Sequence, residues 1–125
     1  MSHLFVILGA LMAFLSVALG AFGAHGLQGK LSAEMLDIYQ TGVQYHMIHA
    51  LGLILIGLLA GLWGSGTWLN AAGWALLTGI IIFSGSLYML SMTGIKWLGA
   101  ITPIGGVAFL IGWILVVVAA AKGSA

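Results

Sequence analysis

Four long stretches of this sequence, residues 4–24, 43–63, 71–92 and 98–121, contain no Asp, Glu, Lys or Arg, and all five charged side chains fall outside them. About 20 apolar residues at 1.5 Å of helical rise span the roughly 30 Å hydrocarbon core of a bilayer, so each stretch has membrane-crossing length. Lipid offers no hydrogen bonds to backbone amides, which makes each crossing a helix; four strands are too few to close a barrel. The expected fold is all-α, an integral membrane four-helix bundle in which residues 1–125 form a single transmembrane domain.

Composition agrees with this and excludes several functions. Charged residues make up 4% of the chain, against about 25% in an ordinary soluble domain. The charges are Lys30, Lys96 and Lys122 against Glu34 and Asp37, with no arginine, too few cations to replace counterions along a nucleic acid. Cysteine is absent, which removes disulfides, thiolate nucleophiles and cysteine-ligated metals. Small residues at Ala18, Gly20, Ala21 and Ala24 would suit a signal peptidase, but no basic residue precedes the apolar run. The first stretch is therefore read as an uncleaved span.

The connections set the topology. Gly64-Ser65-Gly66 with Asn70, and Thr93-Gly94-Ile95-Lys96, are short turns that leave consecutive helices antiparallel. The segment 25–42 is longer. Ser32 suits an N-cap, Glu34 lies in the first turn, where the helix dipole favours an anion, and Met35, Leu36, Ile38 and Tyr39 supply an apolar side. This predicts a short interfacial amphipathic helix between the first and second spans, able to run on into the second because only Gly42 interrupts it.

Helices in lipid associate through close backbone approach and a few interhelical hydrogen bonds. Small residues recur at intervals of three or four along the first span (Gly9, Ala13, Ser16, Gly20, Gly23), the second (Gly57, Gly61) and the fourth (Gly105, Ala108, Gly112). The third offers Ala72, Ala75, Gly79 and Ser86. These are expected contact faces. Two aromatic belts are expected, Trp63, Trp68 and Trp74 at one side and Tyr39, Tyr45, Tyr88 and Trp97 at the other, while Trp113 lies deep within a span.

Alternating direction puts both termini and the 64–70 turn on one side, here side B, and the 25–42 and 93–97 connections on the other, side A. Polar residues gather toward side A: His25 closes the first span, Tyr45, His46 and His49 open the second, Ser84, Ser86 and Tyr88 close the third, and Thr102 opens the fourth beside Pro103. Toward side B only Thr78, at mid-depth, adds polarity. A His/Ser/Tyr/Thr cluster some 5 to 12 Å below the side A surface follows from the helical rise. Ionisable groups at such depth face the bundle interior, paired or lining a watery space. Pro103 reads as a helix-start residue, since a missing N–H costs little in the first turn.

Catalytic chemistry finds no foothold. A Ser-His-Asp arrangement would draw Glu34 or Asp37 beneath the surface, and the glycines around Gly20–Gly26 lack the Lys and Ser/Thr of a phosphate loop. His46 and His49, three residues apart, could share an ion, but a third ligand would have to come from His25 or a hydroxyl. Hydrogen bonding is the preferred reading, with no metal and no cofactor, and haem between two histidines on one side of one helix is disfavoured.

Four ordered motifs carry a resemblance: Gly20-Ala21-Phe22-Gly23-Ala24-His25-Gly26-Leu27, Tyr45-His46-Met47-Ile48-His49-Ala50-Leu51, Phe83-Ser84-Gly85-Ser86-Leu87-Tyr88, and Thr102-Pro103-Ile104-Gly105-Gly106 with Gly112-Trp113. Together they resemble the YgdD-like, or YwdK-like, small membrane proteins, domain of unknown function 423, which are related to a eukaryotic transmembrane group. The resemblance implies a multi-pass protein of the bacterial cell (inner) membrane without an established activity. Its motif positions include His25, Tyr45, His46, His49, Ser84, Ser86, Tyr88, Thr102 and Pro103.

The leading functional expectation is a non-enzymatic membrane protein whose side A polar cluster stabilises the bundle or binds a small ligand, lipid or partner. Transport of a small molecule or proton as an oligomer, with the histidines as relay, is the alternative, and a metal or quinone redox module is a third. Expected partners are membrane lipids and further copies in a homo-oligomer, with no nucleic acid. Two lysines on side A against one on side B lean toward side A facing the cytoplasm.

Overall fold

The computed structural model describes residues 2–123, and every regular element among them is helical. Four helices are long and apolar enough to cross a membrane: Ser2–Leu27, Ala33–Trp63, Thr67–Thr93 and Lys96–Lys122, hereafter the first to fourth helices. Each contains the corresponding uncharged stretch and extends beyond it, except at the carboxyl end of the second.

Local chemistry accounts for the ends. Ser32 caps the second helix, its hydroxyl accepting a bond from the Met35 N–H at 3.2 Å. Gly94 ends the third in the left-handed region at φ 73°, where a side chain would be strained, and its N–H reaches the Leu90 carbonyl. The fourth opens with a short 3₁₀ segment, Lys96–Ala100, before Pro103 enters the first α turn.

The amphipathic segment is not a separate helix. Ala33–Trp63 is continuous, so Glu34 to Gly42 form the opening turns of the second helix, and Gly42, the expected interruption, lies within it. Tyr39, expected in an aromatic belt, is fully buried. Its hydroxyl donates to the Leu19 carbonyl of the first helix, the partner that a hydroxyl buried away from solvent needs.

The first helix packs on the second almost backbone to backbone. A Cβ on Gly9 would stand 2.8 Å from the Ala50 carbonyl and 2.8 Å from the Ile54 amide, and one on Gly57 would stand 2.7 Å from the Ser2 carbonyl. Of the expected stripe, Gly9, Ser16 and Gly23 are buried, and Ala13 and Gly20 are half-buried. Gly57 is in contact, whereas Gly61 meets nothing within 4 Å among the described residues. The fourth helix lays Gly105 against Phe83 and Gly112 against Leu76 of the third.

Two π turns break the α pattern, Gly23–Leu27 at the end of the first helix and Ile80–Ser84 within the third. Each admits an extra residue, rotating the downstream residues by about 100° relative to an uninterrupted α-helix. Gly79 and Gly85 flank the second of them, with the Phe109 ring against Gly79. Ser84, at the end of this turn, is buried, while Thr78, which precedes the turn, lies exposed.

The apolar core fills the side B half and the middle, around Phe5, Leu53, Ile56, Leu69, Leu76 and Phe109; a smaller cluster of Leu87, Leu90 and Leu98 lies toward side A. The sorting of ends holds: Lys122 sits over the Trp68 ring at 5.6 Å, bringing the carboxyl end to the 64–70 turn.

Gly9→Ala should therefore lower the thermal midpoint in detergent, since overpacking costs about 1–3 kcal/mol. Gly61→Ala, in open space, should leave it unchanged or raise it by the 0.5–1 kcal/mol that about separates Gly from Ala in a helix. Circular dichroism melts of the two variants beside the wild type check the contrast.

Candidate functional site

Polar side chains of the side A half do not form one cluster. They form separate pairs, each joining two helices. His46 Nδ1 lies 2.8 Å from the Tyr88 hydroxyl, linking the second helix to the third. Ser84, with no exposed surface, donates to the Gly42 carbonyl at 2.7 Å across the same pair of helices. Glycine at 42 lets the third helix come close, since a Cβ there would press on Tyr88 and Leu87. Ser86 and Thr102 share a 2.6 Å bond between the third and fourth helices.

His49 completes the set by joining the second helix to the fourth. Its Nδ1 is 2.7 Å from the Tyr45 carbonyl, and its Nε2 is 3.0 Å from the Trp113 indole Nε1. A carbonyl can only accept and an indole N–H can only donate, so Nδ1 carries the proton and Nε2 accepts: the ring is the neutral Nδ1–H tautomer. One face of that ring stacks on Phe109 at 3.5 Å and 7°. Both nitrogens are spent on the protein itself, which leaves no lone pair for a metal. Among the described residues no three of His, Cys, Asp and Glu gather as a metal group.

His46 is 3% exposed, and its Nε2 is buried without a hydrogen-bond partner among the described residues. Tyr88, which it faces, also packs its ring on Tyr39 at 5.3 Å. The Tyr39, His46, Tyr88 and Ser84 contacts thus bring the first three helices together at one level.

Tyr45 faces a different environment from the histidines beside it. It is 39% exposed and borders a cleft of about 580 Å³ on the outer face of the bundle. The second helix contributes Tyr45, Ile48 and His49, the third Phe83, and the fourth the stretch from Pro103 through Gly106 and Leu110 to Trp113. Parallel rings of Tyr45, His49 and Phe109, within 14° of one another, give it a rigid aromatic wall. Ile48, Val107 and Leu110 are 46%, 53% and 66% exposed, so the cleft opens outward from the helix surface and not into the bundle.

Of the eight residues expected at the site, seven take part in the interhelical pairs or line the cleft. His25 does not. At the π turn that ends the first helix, Gly23 and Leu27 are the buried positions and His25 is exposed, so its imidazole needs no protein partner. Tyr39, Trp113 and Phe109 are additions. The first two carried a usable signal, a lone hydrogen-bond donor on a large ring at a position that helical spacing places inside a bundle.

A family model described as "Protein of unknown function (DUF423)" matches residues 19–106, the region that holds most of these pairs. UPF0382 membrane protein YwdK of Bacillus subtilis is 60% identical over 119 residues, covering 94% of this chain and 96% of the relative. UPF0382 membrane protein SERP0230 of Staphylococcus epidermidis is 53% identical over 118 residues, 94% of this chain and 95% of the relative. The Staphylococcus aureus protein SAB0533 of the same description is 53% identical over 119 residues, 95% and 96% of the two chains. No solved structure matches the chain. With four membrane-spanning helices and a match over most of its length, the chain is a multi-pass membrane protein that belongs to the DUF423 family.

Proposed function

We propose that this is a non-enzymatic membrane protein in which paired His, Tyr, Ser, Thr and Trp side chains fix a four-helix scaffold, and that the scaffold serves to present the lateral aromatic cleft to a small apolar ligand. The observation that carries this reading is His49. It is committed to the Tyr45 carbonyl on one nitrogen and to Trp113 on the other, while its ring also borders the cleft. Such a residue sets the spacing of two helices and with it the width of the opening between them.

The same observation favours a structural role over a proton relay. A relay needs a ring nitrogen free to exchange protons with a water or a neighbour, and His49 would have to break an interhelical bond at every step. Each pair closes on itself instead of leading to the next. In this reading the opening turns of the second helix, with Glu34 and Asp37 exposed, lie at the side A membrane surface.

A double-mutant cycle tests the scaffold. His49→Phe leaves the indole N–H unpaired and Trp113→Phe leaves the imidazole nitrogen unpaired, each a loss of about 1–3 kcal/mol for a buried group. The double variant should cost less than their sum, with a coupling of about 0.6–1.7 kcal/mol, the range for interhelical bonds in membranes. Reversible unfolding in mixed micelles measures it, and strict additivity would remove His49 from its structural role.

Replacing His46 and His49 together by Phe breaks links to both the third and fourth helices. Thermal unfolding of the purified double variant should begin well below that of the wild type, and an unchanged melting curve would contradict the scaffold.

A further inference from the structure

We propose that the cleft is a seat for one acyl chain of a bilayer lipid from the side A leaflet, a proposal that rests on the scaffold reading and names the ligand of its cleft. The first argument is length. From Pro103 to Trp113 the fourth helix rises about 15 Å at 1.5 Å per residue, and half of a hydrocarbon core of roughly 30 Å is the depth of one leaflet. The cleft therefore starts at the side A rim, where the fourth helix begins its α turns, and ends near the bilayer middle.

The second argument is chemistry. The polar atoms of the walls are turned away from the opening: the two nitrogens of His49 bond within the bundle, and the Trp113 N–H is spent on one of them. Apart from the Tyr45 hydroxyl, what remains is almost wholly carbon surface, to which a polar or charged ligand would lose its hydration with little compensation. An acyl chain loses nothing, since it is the solvent of this surface already. Tyr45, partly exposed, packs its ring on Phe83 and beside Phe109, adding a further aromatic face to the wall.

The third argument is shape. A groove on the outside of a bundle normally fills with its own side chains, and here Gly106 leaves that space empty. A Cβ at this position would meet only the Phe83 ring, at 3.8 and 3.9 Å. The walls that flank the gap are stiff: the stacked His49 and Phe109 rings hold one, and the π turn Ile80–Ser84 sets the position of Phe83. A preformed cleft of about 580 Å³ lies within the usual 300–1,000 Å³ range of ligand sites. A chain bound in it loses fewer contacts to rearrangement than one lying on a mobile surface.

Trp113 supplies the probe. In a variant with Trp63, Trp68, Trp74 and Trp97 replaced by Phe, the delipidated protein in detergent is titrated with phosphatidylcholine brominated along its acyl chains, and the Trp113 emission is followed. Quenching should saturate at about one lipid per chain, and Gly106→Leu, which fills the gap, should shift the midpoint at least tenfold to higher lipid. Quenching that rises linearly with lipid fraction and is the same in Gly106→Leu overturns the proposal. So does conversion of a dimer to a monomer by Gly106→Leu in light scattering with no effect of lipid, which makes the occupant a second copy. Should the four-Phe variant fail to fold, native mass spectrometry of the wild type and Gly106→Leu decides the matter. One retained lipid on the wild type alone supports the seat, and equal retention or none overturns it. The His49–Trp113 coupling is measured with Gly106 in place, so a wild type that keeps that coupling but binds no lipid in the cleft rejects the seat and spares the scaffold.

Discussion

Lipid as solvent is the constraint on which the rest of this structure depends. In water, Leu and Val drive helices together; in a bilayer they gain little by exchanging one hydrocarbon neighbour for another. Association then depends on how closely backbones approach and on how many buried polar groups find one another. This chain uses both means, and it uses them at different depths. Glycine contacts between the first and second helices run from Gly9 to Gly57 near side B and continue to Gly23 near side A. Hydrogen bonds from side chains across helices lie almost wholly in the side A half, where His46, Ser86 and His49 bond side chains and Ser84 a backbone carbonyl of another helix.

That division explains why the polar residues pair and do not pool. A pooled cluster of imidazoles and hydroxyls would need water to satisfy its surplus donors and acceptors, and water in a bundle of this size would have to come through the lipid-facing seams. Pairs need none. His49 shows the economy best: its two nitrogens have opposite roles, fixed by one partner that can only accept and one that can only donate. His46 departs from the rule at a single atom, the buried Nε2, and it lies where three helices meet and packing is hardest to rearrange.

Much of the fold is legible in the sequence, and the limits have physical causes. The number of apolar helices follows from where charges can stand, so it can be read directly, as can the Ser32 cap and the burial of Gly9, Ser16 and Gly23. The inward placement of His46, His49, Ser84 and Ser86 follows from the cost of leaving such groups in lipid. Partner choice does not, because it depends on rotation about each helix axis to within a fraction of a turn. The π turn at Ile80–Ser84 changes that rotation by about one residue step, and nothing in a run of three isoleucines and a phenylalanine announces it. His25 stands apart from the site for a different cause: at a helix end an imidazole has water within reach, so its polarity says nothing about which way it points.

The cleft is a consequence of the same pairing. To bond His49, Trp113 must turn its indole toward the second helix, where its ring edge closes on Gly52. That draws the Trp113 ring partly inward, to the back of the cleft, on the same helix where Gly106, one α turn after its start, supplies no side chain. The space between the second and fourth helices is thereby left open on its outer side and closed within by the His49 and Phe109 rings. A bundle held only by glycine contacts would have no reason to keep such a gap, since its outer side chains could fold over it. Here the interior bonds hold the rings edge-in, and the opening persists because closing it would unpair two buried nitrogens.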